Sequence, residues 1–328
     1  MRVHVFKAFA ASALAVVSLA AVAQTVKTQI TFSQPIAGIA ADPITNRIYV
    51  VAPSFGGTTD TLAVINSSTD AIVQNIPVPV GAYLPAVNIV TNRIYVASCN
   101  YNEDPTPCFV TVVDGKKGKV LTQIPVTTTS GNGIQGITVD PVTDKIYVAN
   151  GNDDVIDVIN GATNKITGTL GVSGGSPYGL AINPFNHRLY VPLASDALEV
   201  IDVCKRTVIA TTTFGGNTSF AAVNWATGIV FVTDSVFGPS TTGVFDKNGA
   251  VLAAVPVGDT PYGVDVDPVT NLAFVASTGL NNITVIDGSS NTVKATVSGV
   301  PANFVAVDFV AAKAYVAGDN VVTVLTEK

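Results

Sequence analysis

Ionisable side chains are scarce in this chain of 328 residues, and the scarcity removes several functions at once. Histidine occurs twice, at His4 and His187, and cysteine three times. With so few imidazoles and thiols, neither a His/Cys metal cluster nor a Ser-His-Asp triad can be assembled in the bulk of the chain. Charged residues make up only 12% and apolar ones 48%, a balance that buries a large core and excludes disorder. Basic residues never cluster beyond Lys116-Lys117 or Lys205-Arg206, which argues against nucleic-acid binding. No glycine-rich phosphate loop joins a strand to a helix. There is one Met and one Trp, and the chain is dominated by Val, Ile, Thr, Ala and Gly. That is the composition of a β protein with many turns.

One long apolar run does occur, at the start. Arg2 and Lys7 precede the uncharged stretch Ala8 to Val22, and Ala21-Val22-Ala23 forms a small-x-small site before Gln24. The pattern is that of a signal peptide over residues 1–23, leaving 24–328 as the mature chain. A membrane helix is the alternative, but the run is short for a span. The expected product is soluble and exported, periplasmic or secreted, with no membrane span once the signal is removed. Without Arg2 and Lys7, 15 basic residues face 23 acidic ones, a net charge near −8. In an oxidising compartment Cys99 and Cys108 are placed to close a loop as a disulfide, since no further soft ligands lie nearby to make a metal site. Cys204 is left over.

The rest of the chain repeats itself. Asp140-Pro141-Val142-Thr143-Asp144-Lys145-Ile146-Tyr147-Val148 reads as strand, tight turn, strand, and similar blocks begin at Asp42 and Asp267. Their aromatic residue recurs at Tyr49, Tyr95, Tyr147, Tyr190, Phe231, Phe274 and Tyr315, at spacings of 46, 52, 43, 41, 43 and 41 residues. Seven residues before each lies Asp or Asn: Asp42, Asn88, Asp140, Asn183, Asn224, Asp267 and Asp308. A period in the low forties made only of strands and turns predicts an all-β, seven-bladed β-propeller with four-stranded blades. Two stacked β-sandwiches would also show many short strands but have no reason to keep a seven-fold register.

In the third unit the spacing predicts strand a over 136–140, b over 145–149, c over 155–159 and d over 165–170. The seventh unit supplies strands a, b and c and then ends. The spare segment Val26 to Phe32 is expected to pair with Val321 to Leu325, completing the last blade and closing the ring.

The repeated Asp-Pro-x-Thr-Asn-Arg/Lys-x-Tyr-Val block, followed by Val-Ile-Asn/Asp and a turn, resembles the YVTN-repeat β-propeller proteins. The likeness spans the mature chain and is best in blades one, three and six. Blade five (Asn224 to Phe231) and blade seven (Asp308 to Tyr315) have lost the Pro and the Asn-Arg. The resemblance implies an exported seven-bladed propeller of bacterial or archaeal type, with lactonase-like propellers as relatives. It specifies fold far better than function.

Propeller connectivity puts the d–a and b–c loops around one mouth of the central channel and the a–b and c–d turns on the other face. The Asx residues of the turns are then caps, and the aromatic anchors inter-blade packing. Loop length varies on the mouth side, with long segments at 52–60, 98–108, 127–133 and 233–241. Twelve residues before each anchor lie Ala37, Tyr83, Gln135, Tyr178, Ser219, Tyr262 and Asn303. Of these, Tyr83, Gln135, Tyr178, Tyr262 and Asn303 could form a cup for a ligand or pack beneath the loops. Nine before each anchor the residue is small, except Asp265, whose carboxylate is either hydrogen-bonded in the channel or part of a site. The expected function is a monomeric binding scaffold for a protein, glycan or small ligand, with no cofactor predicted. The alternative is a lactonase-like hydrolase using channel-mouth carboxylates. A Ca²⁺ site built from Asp153, Asp154, Asp259, Asp265 or Asp319 is left open.

Overall fold

The computed structural model describes residues 24–54, 56–100, 107–127, 133–235 and 240–326. The proposed signal peptide lies outside the described residues, and so do parts of all four long mouth-side segments. Twenty-eight strands form seven antiparallel four-stranded sheets. Among the described residues there is no helix, hence none long and apolar enough to cross a membrane.

Blade three illustrates the unit, with strands Ile134–Asp140, Lys145–Asn150, Val155–Asn160 and Lys165–Gly171. These are the expected strands, each one or two residues longer. Strand a is the inner edge of every sheet, and the seven inner strands touch in succession around a closed ring. Strand b of each blade is buried nearly throughout, while strand d is mostly exposed. The apolar core therefore lies between blades. Tyr95 of blade two packs against Val139, Ile146 and Val148 of blade three, and Tyr147 against Leu180, Ile182 and Leu189 of blade four.

The turns explain the repeat's spelling. In the a–b turn of blade one, the Asp42 carboxylate accepts the N–H groups of Ile44 and Thr45 at 3.1 and 3.2 Å. Asn88, Asp140, Asn183, Asn224, Asp267 and Asp308 cap their own turns in the same way. Four residues after the cap the backbone turns left-handed, at Asn46, Asn92, Asp144, His187, Gly228, Asn271 and Ala312. Asn, Asp and Gly tolerate that conformation, which is why Asn recurs there.

Ring closure follows the expected pairing. Thr25–Thr31 lies antiparallel to Val321–Thr326, from Thr25 opposite Thr326 to Thr31 opposite Val321, and completes the seventh sheet. The Phe32 and Ile36 N–H groups donate to the carbonyls of Asn320 and Asp319 at 2.7 and 2.6 Å. A charged cluster stitches the seam from the other side. Asp70, in the c–d turn of blade one, accepts from Lys313 at 2.8 Å and Tyr315 at 2.7 Å, both of blade seven, and from Lys27 of the closing strand at 2.5 Å.

Candidate functional site

The structure divides the sequence-derived mouth residues between two places. Tyr83 and Gln135 line a groove beside Cys99, Pro53 and Ile134. Cys99 and Cys108 face each other across strands b and c of blade two and form the expected disulfide, which supports that groove from below. Tyr262 instead joins the channel mouth itself. Its ring centroid lies 4.8 Å from that of Phe220 and 5.3 Å from that of Phe304, and those two are 5.8 Å apart. All three contacts are edge-to-face, the favoured aromatic geometry. Burial raises the Tyr262 phenol's pKa, and Tyr178 beside it adds to the rise. Asn303 serves through its backbone, accepting from Gly263 N–H at 2.9 Å and donating to the Ala317 carbonyl at 2.8 Å.

Phe220 and Phe304 escaped the sequence reading, although a signal for them existed. Eleven residues before each anchor the chain reads Gly38, Leu84, Gly136, Gly179, Phe220, Gly263 and Phe304. Where glycine stands, the next blade approaches closely: a Cβ on Gly38 would lie 2.2 Å from the Tyr83 carbonyl oxygen, and one on Gly136 2.4 Å from that of Tyr178. A Cβ on Gly179 would fall 2.2 Å from the Phe220 ring. The Phe220 ring therefore occupies room that Gly179 leaves, and the Phe304 backbone lies close against Gly263.

Below the aromatic rim the channel opens into a cavity of about 270 Å³. Its wall side chains are apolar or small, including Ile39, Leu84, Ile137, Leu180, Val264 and Val305. Edge strands leave backbone N–H and C=O groups unpaired, so these also face the channel. Asp265 is the one ionisable side chain in this lining, and no basic side chain joins it. It also borders the hollow on the opposite side, with Val223, Trp225, Pro268 and Phe309, and so marks the waist between the two ends. Its Oδ1 accepts the Val266 N–H and its Oδ2 the Val307 N–H of the next blade, each at 2.8 Å. The Asp265 side chain is partly exposed, with its remaining surface turned to the channel. Burial pushes its pKa up to about 6, against the lowering effect of the two N–H groups.

The other carboxylates considered for a Ca²⁺ site do not gather. Among the described residues no three His, Cys, Asp or Glu side chains come together in a way that could hold a metal ion. His187 lies in the a–b turn of blade four, on the far face, and Cys204 is exposed in a c–d turn.

Hydrazine synthase of Kuenenia stuttgartiensis is a solved structure similar to this one, with a TM-score of 0.73 over 91% of this chain and 97% of that chain. The two share the fold. At 19% sequence identity the likeness carries no more than that. No family model matches the chain, and no curated protein matches it.

Proposed function

We propose that the chain is an exported binding propeller of the YVTN-repeat kind, and that its channel mouth holds a small organic cation bearing a primary ammonium group. The observation that carries the reading is the lone Asp265 carboxylate on a wall without any basic side chain. A buried charge is costly unless paired, and nothing in the cavity lining pairs with this one. The two N–H groups occupy one acceptor site on each oxygen, leaving lone pairs that an ammonium can take. Phe220 and Phe304 stand two residues nearer the mouth on their strands, roughly 7 Å along the axis. That separation suits an ammonium at the waist and an apolar body between the rings, where cation–π attraction also helps draw the ligand in. Export is supported by the leader-like residues 1–23 and by the disulfide.

Calorimetry with phenethylamine, phenethyl alcohol and phenylacetate tests the reading. The amine is expected to bind about tenfold tighter than the alcohol, a difference near 1.4 kcal/mol, with the acid weakest. The preference should vanish in Asp265→Asn and fade as pH drops through about 6, where the carboxyl takes up its proton. Equal affinity for all three probes would overturn it.

A further inference from the structure

The face opposite the mouth carries a pattern of its own. At the second residue after each a–b cap, six of the seven blades present a large apolar side chain to solvent: Ile44, Val90, Val142, Phe185, Val269 and Val310. Their exposures run from 59% to 72%, high for residues of this type. Blade five has Ala226 at that position but exposes the adjacent Trp225, whose ring lies 5.5 Å from that of Phe185. The patch is thus continuous from blade four to blade five and regular around the channel exit.

Turn chemistry does not require this. The cap and the left-handed residue of each turn are fixed by backbone geometry, whereas the residue between them points outward and is free to be polar. The acidic caps Asp42, Asp140, Asp267 and Asp308 are buried, so they put no charge on this surface. The nearby basic residues are spent on neighbouring blades: Arg93 donates to the Gly161 carbonyl, Arg188 to that of Lys247, and Lys313 to that of Ser67. What is left at the centre of the face is an apolar ring, with exposed cations such as Lys117 and Lys205 on the outer c–d turns.

We infer that this a–b face is the interface with a second copy of the chain, two rings meeting face to face across a two-fold axis. The exposed fractions of the six side chains and Trp225 amount to on the order of 800 Å², the share one partner contributes to a standard interface. An isologous contact brings each apolar ring onto its own copy. This arrangement leaves both channel mouths facing outward, so it is independent of what the mouths bind. It differs from the monomer expected from the sequence.

Sedimentation velocity on the mature chain across a concentration series tests the inference, alongside the double variant Val90→Asp, Val269→Asp. Both positions are 72% exposed, so the variant should fold with an unchanged Tm. The expected result is a concentration-dependent dimer whose Kd weakens at least about tenfold in the variant. A wild-type chain that stays monomeric up to its solubility limit would overturn the inference. So would a monomer that floats with phosphatidylcholine vesicles through the same valines, which would give the face to a lipid surface instead.

Discussion

Asp265 is held ionised at neutral pH against the preference of its surroundings. Its pKa of about 6 lies above the ordinary aspartate value, so the folded chain binds this proton more readily than the unfolded chain does. The linkage then has a definite sign. The stability contributed by this group is greatest below the unfolded pKa near 4, falls as pH rises toward 6, and is flat beyond. Two pKa units correspond to roughly 3 kcal/mol. Denaturant titrations of wild type and Asp265→Asn between pH 4 and 7 should show a steeper decline in the first than in the second. A second prediction rests on Ala312, which has a positive φ of 51° in the a–b turn where other blades carry Asn, Asp, His or Gly. A Cβ in that conformation costs about 1 kcal/mol. Ala312→Gly should recover it as a higher Tm, because the residue is exposed and nothing else is lost.

At the level of the element, the closing strand and its charged clamp decide whether the ring ends hold. Burial alone would raise the Asp70 pKa, but hydrogen bonds from Lys27, Lys313 and Tyr315 outweigh it and hold the carboxyl below its usual range. A depressed carboxylate stabilises the fold above its unfolded pKa, and that contribution is lost as pH falls below about 4. Asp70→Asn leaves Lys313, whose side chain is 9% exposed, without its anionic partner, and should cost about 3 kcal/mol in chemical unfolding. Deleting Val26 to Phe32 should lower Tm further, since it removes a whole strand pairing. The sequence made the strands and their closure legible because turn caps, left-handed positions and anchors repeat at fixed offsets, and backbone geometry imposes each of them. The mouth was less legible for a physical reason. Its shape depends on which blades carry glycine and which phenylalanine at one position, as at Gly179 and Phe220, so what matters is the difference between repeats. Tyr83 and Tyr262 hold equivalent repeat positions yet face different hollows.

On the scale of the whole molecule, seven inner strands enclose a channel with unlike ends. One end is an aromatic rim over a cavity with a single carboxylate at its floor; the other is a ring of exposed apolar side chains. The rigid ring between them keeps Asp265 in place, because its carboxylate spans from blade six to the Val307 N–H of blade seven. The ligand proposal turns on whether that carboxylate meets a cation. Carbon-detected NMR can follow the Asp265 carboxyl through a pH titration, first in the free protein and then saturated with phenethylamine. An ammonium seated at the waist should lower the apparent pKa from about 6 by about one unit or more. A pKa that stays put or rises at saturation would contradict the proposal.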